Sequence, residues 1–120
     1  MKSKVIKVKT LPTVPNICNQ ILREVHKNQY ASLAHVIVLP DETSLLHNHH
    51  GFTEWYYILT GRGRIQAGRK TYLVRDDCFI PLKPGAKHKL TNLGKQPLAH
   101  LVFSTPPFNS KDVHILEEVV

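Results

Sequence analysis

The sequence predicts an all-β fold: one domain, built as an antiparallel barrel or sandwich. Short apolar runs recur along the chain, each bounded by turn residues, and that spacing belongs to closed or double-sheet β architectures. Only residues 17–27 suggest a helix at all. A chain of 120 residues, 42% hydrophobic, buries one core but not two. The domain is therefore taken as residues 1–120.

Taken in order, Lys2, Lys4, Lys7 and Lys9 alternate with Val5, Ile6 and Val8, as on an edge strand. Residues 1–15 read as an arm carrying this strand over 5–8. In 17–27, Ile17, Ile21, Leu22 and Val25 share a helical face, with Pro15-Asn16 as a plausible start. The same residues could equally form a strand. Residues 33–39, 55–59, 72–74, 78–80 and 98–103 read as strands. Arg62, Arg64, Arg69, Lys70 and Arg75 span a hairpin. Turns fall at Pro40-Asp41, His50-Gly51, Ala67-Gly68, Lys83-Pro84-Gly85 and Leu93-Gly94. Pro106-Pro107 ends the barrel pattern, and 108–120 is a tail. Its Phe108, Ile115 and Leu116 can pack on the barrel or on a second subunit.

Composition removes several function classes. No stretch approaches eighteen apolar residues, so no membrane-spanning helix is expected. The N-terminus is basic without the apolar run of a signal peptide. Cys18 and Cys78 form no framework and no CxxC; they read as reduced thiols of a cytoplasmic protein. Sixteen Lys and Arg against nine acids leave a net charge of +7. These charges are dispersed, without a run of five or a nucleic-acid motif, so neither nucleic acid nor membrane is expected as a partner. Lys83, Lys87 and Lys89 bracket His88, and Arg62 and Arg64 flank Gly63. If they line the barrel mouth, the small-molecule ligand is anionic. If they face solvent, they add solubility only.

Chemistry concentrates in four residues. His47 and His49 lie two apart, so on a strand both imidazoles point to one face. Glu54 follows after a short turn, on a neighbouring strand facing the same way. His88 arrives from further along. Three nitrogens and one oxygen suit a divalent Zn, Fe, Mn, Ni or Cu ion and leave coordination positions for water or substrate. Tyr56, two residues beyond Glu54, faces the same interior as a candidate proton donor, while Trp55 and Tyr57 face outward. His50 points away from His47 and His49. His35 and His100 sit mid-strand, as packed histidines or as hydrogen-bond partners of the ligands.

The spacing resembles a known family. His47-x-His49, four residues, Glu54, six residues, Gly61 is similar to the first signature motif of the cupin superfamily. Pro84-Gly85-x-x-His88-x-x-x-Asn92 is similar to the second, and residues 62–76 separate the two, as in small microbial single-domain cupins. The resemblance runs over about 31–107, and it favours a strand over a helix for residues 17–27. It implies a double-stranded β-helix, or jelly-roll barrel, with His47, His49, Glu54 and His88 as metal ligands inside and Asn92 in a structural turn. It departs at turn glycines. Asp41 stands where the first motif starts with Gly. In the second motif, strict spacing puts Asp77 at the Gly, whereas one inserted residue near Leu82 would align Asp76-Asp77 with Gly-Asp. Asp tolerates unusual backbone angles better than most residues, so these read as turn variants.

Cupin-like architecture hosts many chemistries. The expected function is a metal-dependent enzyme, such as an isomerase or epimerase, acting on a small oxygen-rich substrate derived from a sugar or keto acid. Glu54 would serve as ligand and base, and Tyr56 as acid. The alternatives are a metal-dependent dioxygenase and a non-enzymatic sugar- or metabolite-binding protein. Small proteins resembling this one pair, and the apolar arm together with Trp55 and Tyr57 makes a homodimer the expectation.

Overall fold

A computed structural model describes residues 4–117. Its strands are β1 (Ile21–Lys27), β2 (Ser32–Val38), β3 (His47–Asn48), β4 (Thr53–Thr60), β5 (Arg62–Ala67), β6 (Lys70–Arg75), β7 (Phe79–Leu82), β8 (His88–Asn92), β9 (Leu98–Thr105) and β10 (His114–Ile115). They form two five-stranded antiparallel sheets, ordered β1-β2-β9-β4-β7 and β10-β3-β8-β5-β6. This is the jelly-roll barrel that the family resemblance implied. Among the described residues, no helix is long and apolar enough to cross a membrane.

The core lies between the sheets and follows from period-two alternation. In β4, Glu54, Tyr56 and Ile58 are buried while Trp55, Tyr57 and Leu59 face outward. Val36 and Val38 of β2, Ile65 of β5, Leu90 of β8 and Leu98 of β9 complete the interior. Gly61 makes the tight link between β4 and β5. Its φ is +111°, and an added Cβ would meet the Leu98 Cα at 2.7 Å, so a side chain fits neither the backbone nor the space.

Asp41 and Asp77 occupy the left-handed region, at φ of 67° and 68°. These are glycine-like turn conformations, which explains why Asp stands at both. It also favours strict spacing, with Asp77 at the second motif's glycine. Asn92 is a structural turn residue, as expected. Its Nδ2 donates to Val38 O and Gln96 O, both at 2.9 Å, and its Oδ1 accepts from Gly94 N at 2.8 Å.

Two expectations need correction, and one open reading is decided. The arm is not an edge strand: among the described residues, 4–7 make no strand pairing, and Val8–Thr10 is a 3-10 turn. Lys2 lies outside the described residues. Residues 21–27 form a strand, the alternative the resemblance favoured, and 17–20 lead into it through turn and unpaired residues. The tail is part of the barrel, because β10 pairs with β3, with His114 opposite Asn48 and Ile115 opposite His47.

Candidate metal centre

The site forms where the two sheets come together at one end of the barrel. His47 lies in β3, opposite His88 at the start of β8. His49 follows β3, and the chain then crosses through Gly51-Phe52 to place Glu54 in β4 of the other sheet, opposite Ser104 of β9. That crossing is held from outside by Asp112, whose carboxylate accepts from Gly51 N at 2.6 Å and from His50 N at 3.2 Å. Phe52 is buried, and its ring stacks on His49 at 4.0 Å.

His49, Glu54 and His88 converge, with one ligand-type atom from each within 4.8 Å of the others. Glu54 Oε1 stands 3.4 Å from Nε2 of His49 and 3.4 Å from Nε2 of His88. All three side chains are buried. His47 stands at the edge of this group, its ring 4.1 Å from that of His88.

The ring orientations have a common cause. Nδ1 of His47 lies 2.6 Å from Leu45 O, that of His49 3.1 Å from Phe52 O, and that of His88 3.0 Å from Ala86 O. A carbonyl can only accept, so each Nδ1 carries the proton and each Nε2 presents a lone pair. The Nε2 atoms of His49 and His88 are buried and make no hydrogen bond. Two imidazole lone pairs and a carboxylate thus face one another. Such a set of acceptors is stable only around positive charge, a proton on an imidazole or a metal ion. The residues therefore fit a divalent cation, and their nitrogen and oxygen donors suit a first-row transition metal.

The electrostatics show the same need for positive charge between these groups. Burial raises the Glu54 carboxyl, but hydrogen bonds and positive charge from His49 and His88, which require a proton on the facing nitrogens, outweigh it and hold it at about 2. Burial, with the neighbouring His88 charge, lowers the His47 imidazole to about 4. Tyr56 points inward as expected. Burial first, then the Glu54 charge, pushes its phenol well above the ordinary tyrosine value.

The remaining candidates separate. His100 is buried in the interior, its ring 4.7 Å from that of Tyr56. His35 alternates to the other face of its sheet, opposite Leu101. His50 is exposed, 5.2 Å from the His114 ring. Sequence reasoning missed Ser104, whose hydroxyl donates to Glu54 Oε2 at 3.5 Å, and Cys18, which lines the cavity over the site. Ser104 had no signal short of the β4–β9 register. Cys18 lies in an irregular segment whose path no periodicity reports.

Of the two readings left open for the basic residues, the one in which they line the cavity does not hold for Arg62, Arg64, Lys83, Lys87 and Lys89. Lys89 pairs with Glu117 at 2.9 Å, and Arg62 donates to Leu93 O at 2.9 Å. Neither these nor Arg64, Lys83 or Lys87 line the cavity.

A cupin-domain family model matches residues 34–104, a span that contains both motifs. This chain belongs to the cupin family. The cupin is 39% identical over 102 residues to an uncharacterised protein of Methanocaldococcus jannaschii, covering 81% of this chain and 82% of the relative. A Klebsiella pneumoniae protein described as having a double-stranded β-helix domain superposes with a TM-score of 0.78 at 16% identity, over 98% of this chain and 100% of that one. A Thermotoga maritima protein described as a predicted oxalate decarboxylase superposes with a TM-score of 0.75 at 20% identity, over 85% and 98%. At those identities the two structures speak for the fold alone.

Proposed function

We propose that this cupin is a metal-dependent enzyme acting on a small oxygen-rich substrate, with His47, His49, Glu54 and His88 as ligands. One observation carries the reading: buried acceptors of His49, Glu54 and His88 converge with no donor among them, beneath a cavity that His47, Glu54, Tyr56 and His100 line. A bound divalent ion supplies Lewis-acid polarisation of a substrate oxygen.

The protein's own groups divide the remaining work. The three Nδ1–carbonyl contacts fix the imidazoles with Nε2 inward. Tyr56 keeps its proton across the physiological range and is the donor beside the reacting oxygen. His100, its ring 4.7 Å from that of Tyr56, is held neutral by burial, which lowers it to about 4, and serves as a hydrogen-bonding group in the cavity.

Elemental analysis after dialysis against each candidate metal tests the reading. One ion per chain is expected, and none in Glu54→Gln. Substrate-dependent oxygen uptake by the iron-loaded protein would redirect the assignment to a dioxygenase. Metal-dependent ligand binding without turnover would make the protein a binding module.

A further inference from the structure

The cavity over the cluster has a volume of about 470 Å³, within the range of small-molecule sites. Its floor is polar, and its walls combine an apolar stretch with polar groups, among them Gln20 and Ser110. Leu22, Val36 and Val102 face it from the first sheet, Val14 and Ile17 from the segment before β1, and Phe108 from the tail. Several polar side chains in the walls are already engaged. Asn16 closes its own turn, donating to Val14 O and Gln20 O and accepting from Gln20 N. Ser32 Oγ accepts from Phe108 N, and Ser44 Oγ from Leu90 N, each at 2.9 Å.

The walls carry no excess of either charge. Glu24 and Lys27 are the exposed charges on the lining, and they are opposite in sign. The third charged group on the lining, Glu54, is buried in the cluster itself.

We propose that the cavity takes a ligand with two adjacent oxygen donors at one end and an uncharged aryl or branched-alkyl body at the other. This rests on the metal-dependent reading of the same site. The chelating head goes to the floor, where unpaired acceptors gather around the cation they require. The body goes against Leu22, Val36 and Val102, where apolar contact is favourable and no water needs replacing by a hydrogen bond. A sugar phosphate fits less well: hydroxyls laid against Leu22, Val36 and Val102 would lose water without gaining partners there, and away from the ion its phosphate would meet Glu24 as well as Lys27.

Calorimetry on the metal-loaded protein tests this with acetohydroxamate and benzohydroxamate, which share a head and differ in body. After correction for each acid's affinity for the free ion, the benzo compound is expected to bind at least about tenfold tighter, from burial of the ring. The ratio should shrink several-fold in Ile17→Asp, a change at a position that is 59% exposed and so outside the core. Equal affinities, an unchanged ratio in the variant, or tighter binding of phosphoglycolate would each overturn the proposal. Failure to take up metal would be a separate result, against the metal-dependent function. In that case benzyl alcohol and glycerol 3-phosphate are compared on the metal-free protein. Preference for the alcohol supports the apolar body, and preference for the phosphate overturns it.

Discussion

At the scale of single residues, the site depends on tautomers as much as on ligand identity. Each candidate imidazole spends its Nδ1–H on a carbonyl of its own loop, so the donor set is pre-oriented before an ion arrives. Replacing His49 with Ala is expected to remove most bound metal, read by elemental analysis, while far-ultraviolet circular dichroism stays that of a β protein. His47→Ala separates two coordination sets: retained stoichiometry leaves His49, Glu54 and His88 as the ligands, and loss makes His47 a fourth. The four residues were legible in the sequence because same-face spacing and motif spacing agreed. The tight grouping of three was not, since it depends on how far apart the two sheets sit. His100 carries a prediction of its own. Its folded-state imidazole is lowered to about 4 by burial, from an ordinary 6.5. As pH falls below 6.5 the unfolded chain takes the proton first, so stability is lost between about 6.5 and 4 and the loss levels off below. From pH 7 to pH 5, His100 should account for roughly 2 kcal/mol of that loss. Urea midpoints of the metal-free protein and of His100→Gln at both pH values measure it. A slope unchanged by the substitution would show that His100 is not the group responsible.

At the scale of elements, what the sequence revealed depended on length and context. β2, β4 and β9 were legible because seven or eight residues give alternation and turn signals room to agree. β3 and β10 have two residues each and no readable period, yet they join the tail to the sheet that carries His88. Val5, Ile6 and Val8 show the opposite failure. Alternation there suggested a strand, but strands need partners, and in the described structure none is supplied. Residues 17–27 satisfied both periods at once, and pairing with β2 decided the outcome. Turn chemistry was read well, since Asp41 and Asp77 take the positive φ that a glycine would. The glycines differ among themselves, and stability can show it. Gly61→Ala combines a φ of +111° with a Cβ that would sit 2.7 Å from the Leu98 Cα, so a loss of at least about 2 kcal/mol is expected. Gly68→Ala has a φ of +65° but nothing within 4 Å of the new Cβ, and only about 1 kcal/mol is expected from backbone strain. Denaturant unfolding of the two variants checks the order, and equal losses would put the cost in the backbone angle alone.

At the scale of the whole molecule, the two sheets differ in how they meet solvent. The outer face of the first sheet carries Leu33, Trp55, Tyr57, Phe79, Leu101 and Phe103 around a shallow groove. Phe79 is 60% exposed and Phe103 is 43% exposed, and the Trp55 and Phe103 rings lie 5.3 Å apart. A contiguous aromatic face of this kind is costly to leave in water, and on stable proteins such faces usually mark an interface. The sequence-based case for a homodimer leaned partly on the N-terminal arm, which forms no strand between residues 4 and 7. The sheet face now carries that case. A twofold arrangement would bury the same patch on both copies, with the aromatic side chains of one packing between those of the other. The cavity and metal cluster lie on the opposite, inner face of this sheet, so pairing there would leave the ligand's path free. The expected species in light scattering has twice the 13.7 kDa chain mass, about 27 kDa. Phe103→Lys should shift it to a monomer: a lysine ammonium at the centre of an apolar interface would lose its water without gaining a partner. The same variant should take up as much metal as the wild type, because Phe103 points away from Glu54, His49 and His88. A wild-type protein that remains monomeric at high concentration would exclude pairing through this face. A Phe103→Lys protein that remains dimeric would place the interface on another surface.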